Sequence, residues 1–400
     1  MSHPQITMLV TLTGRDRPGV TSRLFGVLSA HELSVTDVEQ VVIRGRLILG
    51  VLLSCPSNPD LTAIHRQVTG MAEDLDMDAE ITMGSVERPP RRRGSMHVTV
   101  LGSPLLPAVI AAIAGQIAAN GANIDRIGRL AHRPVTCIEF DISGADPVRL
   151  RTALAQESSR LGVDVAVQRG GLHRRAMRLI VMDVDSTLLR EEAIELLAAE
   201  ADCGPEVAAL TAAAMRGEID FTQSLHDRVA LLAGLEVAAI DKILKDLRLA
   251  PGARTLIRTL KRLGYRCGVV SGGFTQFTDW LTAELGLDYA AANTLEVVDG
   301  RLTGRVTGEV IDREGKERTL RQFAAQAGVP LSQAVAVGDG ANDLDMIAAA
   351  GLGVAFNAKP AVRSAADTSV SVPNLDVILY LLGISRHDVE AADAEDGAGR

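Results

Sequence analysis

The sequence predicts an α/β protein in three parts: two consecutive ferredoxin-like βαββαβ units, then a Rossmann-like core of parallel strands carrying a small helical cap. Three observations lead there. With 400 residues, at roughly 100–200 residues per domain, the chain is too long for one core. Strand-like and helix-like patterns repeat at a period of about 90 residues in the N-terminal half. From Arg178 onward the strands become short, continuous apolar runs that alternate with helices, the pattern of a parallel sheet buried on both faces.

The repeat begins with Ile6 to Gly14, matched by Met96 to Gly102, each an alternating apolar strand running into a glycine turn. Helical spacing follows in both: Val20, Leu24 and Leu28 in the first, Val109, Ile113 and Ile117 in the second. New strands then open at His31 to Val35 and Asn120 to Ile124. A further strand and helix complete each copy, Arg46 to Leu53 with Leu61 to Leu75, and Thr136 to Ile142 with Pro147 to Leu161. Two composition breaks, Glu87 to Ser95 and Gln168 to Arg175, are rich in Arg with Pro or Gly and lack an apolar face. They predict linkers. The expected domains are 1–86, 96–168 and 177–384, with the cap at about 188–250 and a flexible Asp/Glu/Ala/Gly-rich tail at 385–400.

Composition narrows the function. Hydrophobic residues at 47% supply material for cores, while 41 basic against 50 acidic residues give a charge of −9 and aromatics are only 3%. That is the wrong sign for wrapping a phosphate backbone and too few rings for stacking bases, so no nucleic-acid partner is expected. The longest apolar stretch, around Leu105 to Ala119, is interrupted by Pro107, Gly115 and Gln116 and falls short of the ~18–20 residues that span a bilayer. No membrane segment or secretory leader is expected. Cys55, Cys137, Cys203 and Cys267 lie far apart and predict buried thiols in a reducing cytoplasm.

Chemistry concentrates at strand ends of the third part. The run Arg178-Leu-Ile-Val-Met-Asp-Val-Asp-Ser-Thr-Leu188 is an apolar strand ending in Asp183 and Asp185, at the crevice where open α/β sheets bind ligands. Paired carboxylates there demand a cation or a shared proton, and an oxygen-only site suits Mg²⁺. Ser271 with Gly272 and Gly273 ends another strand beside a helix start suited to an anion. Asp339 and Asp343 end a third, and Lys316 precedes a helix. Each alone is equally a helix cap, a turn or a solvated charge. A turn at Asp299-Gly300 predicts a hairpin nearby.

Taken in order, DxDST, SGG, Lys and GDGAND resemble the four motifs of the haloacid dehalogenase superfamily of phosphotransferases. The resemblance implies Asp183 as nucleophile, Asp185 as general acid and base, and Ser271, Gly272 and Lys316 as phosphate ligands. It places the metal on Asp183, Asp339 and the backbone carbonyl of Asp185, with Asp343 supporting Lys316 or the metal's waters. Glu191-Glu192, Met215 to Phe221 and Ser224 to Val229 resemble the superfamily's branch for phosphorylated amino acids. That implies Glu192 on an ammonium, Arg228 on a carboxylate, and Met215 and Phe221 closing the pocket, with Asn342 a further substrate contact. The loop Gly14-Arg-Asp-Arg-Pro-Gly-Val20 resembles the signature of ACT domains, which bind small amino acids; the second copy keeps Gly121-Ala-Asn123 but lacks the Asp and both Arg. Gly14, Asp16, Gly19 and Asn123 are the ligand positions it implies, and edge-to-edge pairing implies a homodimer. Competing expectations are a phosphatase for phosphohomoserine or phosphothreonine, or an amino-acid sensor on an inactive scaffold.

Overall fold

A computed structural model describes residues 6–56, 59–85, 95–215 and 218–398. The chain divides into two compact units, Met1–Arg92 and Arg93–Arg400.

The first unit contains strands β1 (Ile6–Arg15), β2 (Ser34–Ile43), β3 (Arg46–Ser54) and β4 (Met77–Ser85), in the sheet order β2-β3-β1-β4. All pairings are antiparallel, and helices Val20–Leu28 and Leu61–Asp74 cover one face. Every second residue of β1 (Met8, Val10, Leu12) and β3 (Leu47, Leu49, Val51, Leu53) points into the core against Leu24, Ile64 and Val68. Strand β2 sits at the edge and is exposed along its whole length, including Val35, Val38, Val41 and Ile43.

The second unit opens with a copy of that topology: β5 (Met96–Gly102), β6 (Asn123–Ala131), β7 (Thr136–Ser143) and β8 (Asp164–Arg169), ordered β6-β7-β5-β8. The predicted βαββαβ order therefore holds in both copies. A seven-stranded sheet follows, built from β9 (Leu179–Met182), β10 (Arg266–Phe274), β11 (Tyr289–Val298), β12 (Arg301–Thr307), β13 (Ala334–Gly338), β14 (Leu352–Phe356) and β15 (Thr368–Val370). Its order is β12-β11-β10-β9-β13-β14-β15, parallel except for β12, which returns from β11 as the expected hairpin. The chain runs from β9 to one side and later returns to the other, so the carboxyl ends of β9, β10 and β13 meet at a topological switch point. Helices Ala193–Glu200, Gly204–Met215, Phe221–Ala230 and Val237–Asp246 lie between β9 and β10 in sequence, where the cap was expected.

Two expectations are corrected. Gln168 to Arg175 is not a solvated linker: Arg174 is buried, donating from Nε to Leu381 O (2.8 Å), from Nη2 to Tyr380 O (2.7 Å) and from Nη1 to Glu139. Residues 386–398 are a helix rather than a frayed tail, because Val389 is buried and Asp393 pairs with both Arg258 and Arg262 at 2.6 Å. The basic run Glu87 to Gly94 lies outside the described residues. All four cysteines are free and buried. Among the described residues no helix is long and apolar enough to cross a membrane.

Candidate active site

Strand β9 is held rigidly between β10 and β13, and Asp183 N donates to Val337 O (2.8 Å) immediately beyond it. The Asp183 carboxylate is 4% exposed. Its Oδ1 accepts from Val184 N (2.8 Å) and meets Lys316 Nζ at 2.7 Å; its Oδ2 has no hydrogen-bond donor among the described residues. Lys316, in the first turn of helix Arg313–Ala327, is 1% exposed and also donates to Asp343 Oδ1 at 2.7 Å. Asp343 Oδ2 accepts from the amides of Asp339 (3.1 Å) and Gly340 (2.9 Å), which ties the loop after β13 around the carboxylate. A Cβ at Gly338 would fall 2.4 Å from Asp343 Cγ, so only glycine lets that carboxylate tuck under the strand end.

Asp185 is gripped from both sides. Oδ1 accepts from Ala193 N (2.7 Å) and Oδ2 from Ser271 Oγ (3.0 Å), while Gly273 N donates to the same hydroxyl (2.7 Å). Ser186 between these groups is left-handed, φ +56°, a conformation that costs a non-glycine residue energy and recurs at functional sites. Its hydroxyl donates to Glu192 Oε1 (2.7 Å). Arg228 is half-buried, its Nε donating to Ser224 O (3.1 Å); burial lowers its pKa while the fields of Glu192 and Asp185 act the other way. Phe221 lies over the SGG turn, with its Cζ 3.0 Å from the position of a Cβ on Gly272. The Asn342 side chain folds back toward Gly340. Met215 ends its helix, and its side chain lies outside the described residues.

The electrostatics favour a cation. Burial, then Asp343, pushes the Asp183 carboxyl well above its usual range, with Lys316 acting in the opposite direction. Burial and Glu192 raise Asp185 to about 6; burial, Asp343 and Glu192 raise Asp339 to about 6. Burial opposes the charge on Lys316, but Asp183 and Asp343 outweigh it and hold the ammonium charged. Carboxylate oxygens of Asp183, Asp339 and Asp343 lie within 4.8 Å of one another. An oxygen-only cluster with more carboxylates than ammonium groups suits a hard dication.

The structure thus brings together Asp183, Asp185, Ser271, Lys316, Asp339 and Asp343, with Glu192 reached through Ser186. Sequence reasoning gave no site role to Thr187 of the DxDST run, whose Oγ1 donates to Asp339 Oδ1 (3.3 Å), and missed Asn293 at 2% exposure. Asn293 Nδ2 donates to Gly272 O (2.8 Å) and its Oδ1 accepts from Ile311 N (2.8 Å), joining the SGG turn to the segment that leads to Lys316. A lone amide-bearing residue after the small apolar run Tyr289 to Ala292, midway along β11, was the available signal. Of the amino-acid positions, Gly19 (φ +92°) caps helix Val20–Leu28, Asp16 N donates to Gly45 O (2.8 Å), and Gly14 packs against Met77. Asn123 Nδ2 donates to Asp125 Oδ1 (2.8 Å).

Comparisons with known proteins agree with this architecture. Residues 180–348 match the haloacid dehalogenase-like hydrolase family, and residues 6–82 and 95–168 each match an ACT domain. The chain is 61% identical to a phosphoserine phosphatase of Streptomyces coelicolor, over 98% of this chain and 97% of that one. It is 52% identical to a phosphoserine phosphatase of Mycobacterium tuberculosis at the same coverage. A solved structure of a probable phosphoserine phosphatase from Vibrio cholerae is similar with a TM-score of 0.58 and 35% identity, covering 76% of this chain and 91% of that one. The chain belongs to the phosphoserine phosphatases of the haloacid dehalogenase-like hydrolase family, with two ACT domains ahead of the catalytic core.

Proposed function

We propose that this chain hydrolyses O-phospho-L-serine to L-serine and phosphate, using Mg²⁺ and an aspartyl-phosphate on Asp183. The observation that carries the reading is the convergence of Asp183, Lys316 and Asp343 with Asp185 and Ser271 at one sheet edge. Lys316 fixes Asp183 through Oδ1, which leaves Oδ2 to attack phosphorus while the ammonium offsets the charge of the phosphoryl group. Asp185 protonates the departing serine alkoxide, then takes a proton from the water that cleaves the acyl phosphate, so one carboxyl works as acid and then as base. Ser271 and Gly272 hold phosphate oxygens. Glu192 faces the ammonium and Arg228 the carboxylate of the substrate, with Met215, Phe221 and Asn342 completing the pocket. Asp183, Asp339 and the Asp185 carbonyl would hold Mg²⁺, with Asp343 supporting Lys316 or the ion's waters; the ion would supply charge neutralisation.

We take the working domains as 1–86, 96–168 and 177–384, with the cap at 188–250. The ACT units sense an amino acid at Gly14, Asp16, Gly19 and Asn123 and pair chains into a homodimer, for which the exposed edge strand β2 is the support. Four free thiols support a cytoplasmic setting. Phosphate release from L-phosphoserine, phosphothreonine and phosphohomoserine, with and without Mg²⁺, tests the assignment. Preference for L-phosphoserine is expected; equal rates on all three would overturn the specificity, and no release would favour the sensor reading.

A further inference from the structure

The loop after β9 carries a serine where the backbone favours glycine. Ser186 sits at φ +56°, a left-handed conformation in which the Cβ of an L-residue crowds the following carbonyl. Glycine would hold the same turn without that penalty, so what the serine adds is its side chain. Its Oγ donates to Glu192 Oε1 at 2.7 Å, which ties the loop bearing Asp183 and Asp185 to the first segment of the cap. Among the described residues this hydroxyl is the only hydrogen-bond donor to the Glu192 carboxylate.

Glu192 has little else to hold it. It stands at the N-cap of helix Ala193–Glu200, yet its side chain takes no amide of that helix; the first amide, Ala193 N, goes to Asp185 Oδ1 (2.7 Å) instead. Burial and then the Glu192 charge raise the Asp185 carboxyl, so the two side chains are close enough to repel. A glutamate also has several rotatable bonds, and ordering it costs side-chain entropy. The Ser186 hydroxyl meets that cost before substrate arrives: one carboxylate oxygen is fixed and the other is left to accept from an ammonium. The reacting carboxylates do not depend on this bond. Asp183 is fixed by Lys316 and Val184 N, and Asp185 by Ala193 N and Ser271 Oγ.

We propose that Ser186 is a positioning residue for substrate selection: its hydroxyl locks the Glu192 carboxylate in place, and the preference of the site for phosphate esters that carry an ammonium depends on that bond. The proposal rests on the reading of Glu192 as the partner of the ammonium. Backbone strain at Ser186 is then retained for selectivity and not for the phosphoryl chemistry.

The test compares kcat/KM of the full chain for L-phosphoserine with that for the phosphate ester of β-hydroxypropanoate, the same molecule without its ammonium. The ratio of the two is measured for the wild type, Ser186→Gly and Ser186→Ala, with thermal melts reporting that both variants fold. The variants share the missing hydroxyl and differ in backbone strain. The ratio should fall about tenfold in both, through a raised KM for L-phosphoserine, as when a hydrogen bond to a charged group is lost. In a Glu192→Ala background, Ser186→Gly should leave the ratio unchanged. An unaltered ratio in the single variants, including an equal loss on both esters, would overturn the proposal while leaving the Glu192 reading in place. So would a loss confined to one of the two variants, or a further fall in the Glu192→Ala background. A wild type that does not prefer L-phosphoserine over the ester without an ammonium would remove the Glu192 reading and the proposal with it.

Discussion

Lys316 and Arg174 are both buried cations in the same unit, at 1% and 7% exposure, yet their surroundings differ in one decisive respect. Lys316 touches Asp183 and Asp343, with Asp339 and Asp185 close by, so negative charge exceeds positive. Arg174 meets one carboxylate, Glu139, and spends its other donors on the carbonyls of Tyr380 and Leu381. The first environment is incomplete without another cation and a substrate. The second sets one guanidinium against Glu139, which also accepts from Thr99 Oγ1 and has His97 and Asp141 nearby, so its excess of carboxylate is smaller, and it fastens the ACT sheet to the end of the catalytic core. Surplus charge, rather than burial of charge, distinguishes the reactive site from the structural one.

Lys316→Met attacks the incomplete site. Phosphate release per folded molecule should fall by about 10³-fold, as expected when a preorganised charge is withdrawn from a developing anion; a fall of only a few-fold would place Lys316 with Arg174. Arg174→Met attacks the structural site. It leaves Glu139 with only the Thr99 hydroxyl (3.4 Å) and His97 (3.9 Å) and should lower unfolding free energy by about 3–5 kcal/mol in a denaturant titration, while turnover of the folded fraction changes only a few-fold. Lost turnover in fully folded Arg174→Met would erase the distinction.

These two residues also mark how far the sequence could be read. Lys316, a solvated charge when read alone, was found because its companions end continuous apolar strands and, taken in order with it, resemble the haloacid dehalogenase motifs; the strand order then carries Asp183, Ser271 and Asp339 to one edge. Arg174 lies in a Gly/Arg run with no apolar face, and its partners are Glu139 on β7 and the carbonyls of Tyr380 and Leu381, so burial of its charge depends wholly on tertiary packing. The same applies to the helix at 386–398, whose anchors, Arg258 and Arg262, are remote in sequence. Asn293 escaped notice because its two hydrogen bonds join segments that no local pattern connects.

Asn293→Leu sharpens the comparison with a smaller expected effect. Leaving Gly272 O and Ile311 N without their partner should cost about 1–3 kcal/mol in stability and loosen the phosphate-binding turn relative to Lys316. Steady-state kinetics should show KM for L-phosphoserine rising more than kcat falls; an unchanged KM would limit Asn293 to a role in stability. The smallest effect concerns the missing charge itself. Mg²⁺ at tenfold excess over its Kd should stabilise the wild-type protein by about 1.4 kcal/mol, seen as a raised Tm, and Asp339→Asn should lose most of that increment. An equal increment in Asp339→Asn would move the ion away from the carboxylate cluster.

The central claim is that Asp183 takes the phosphoryl group from L-phosphoserine. Acid-quenching the enzyme during turnover and mapping its peptides by mass spectrometry reads this directly. The account predicts one phosphoryl group on the peptide containing Asp183, and neither that adduct nor phosphate release in Asp183→Asn. A phosphoryl group on another residue, or undiminished release by folded Asp183→Asn, would contradict it.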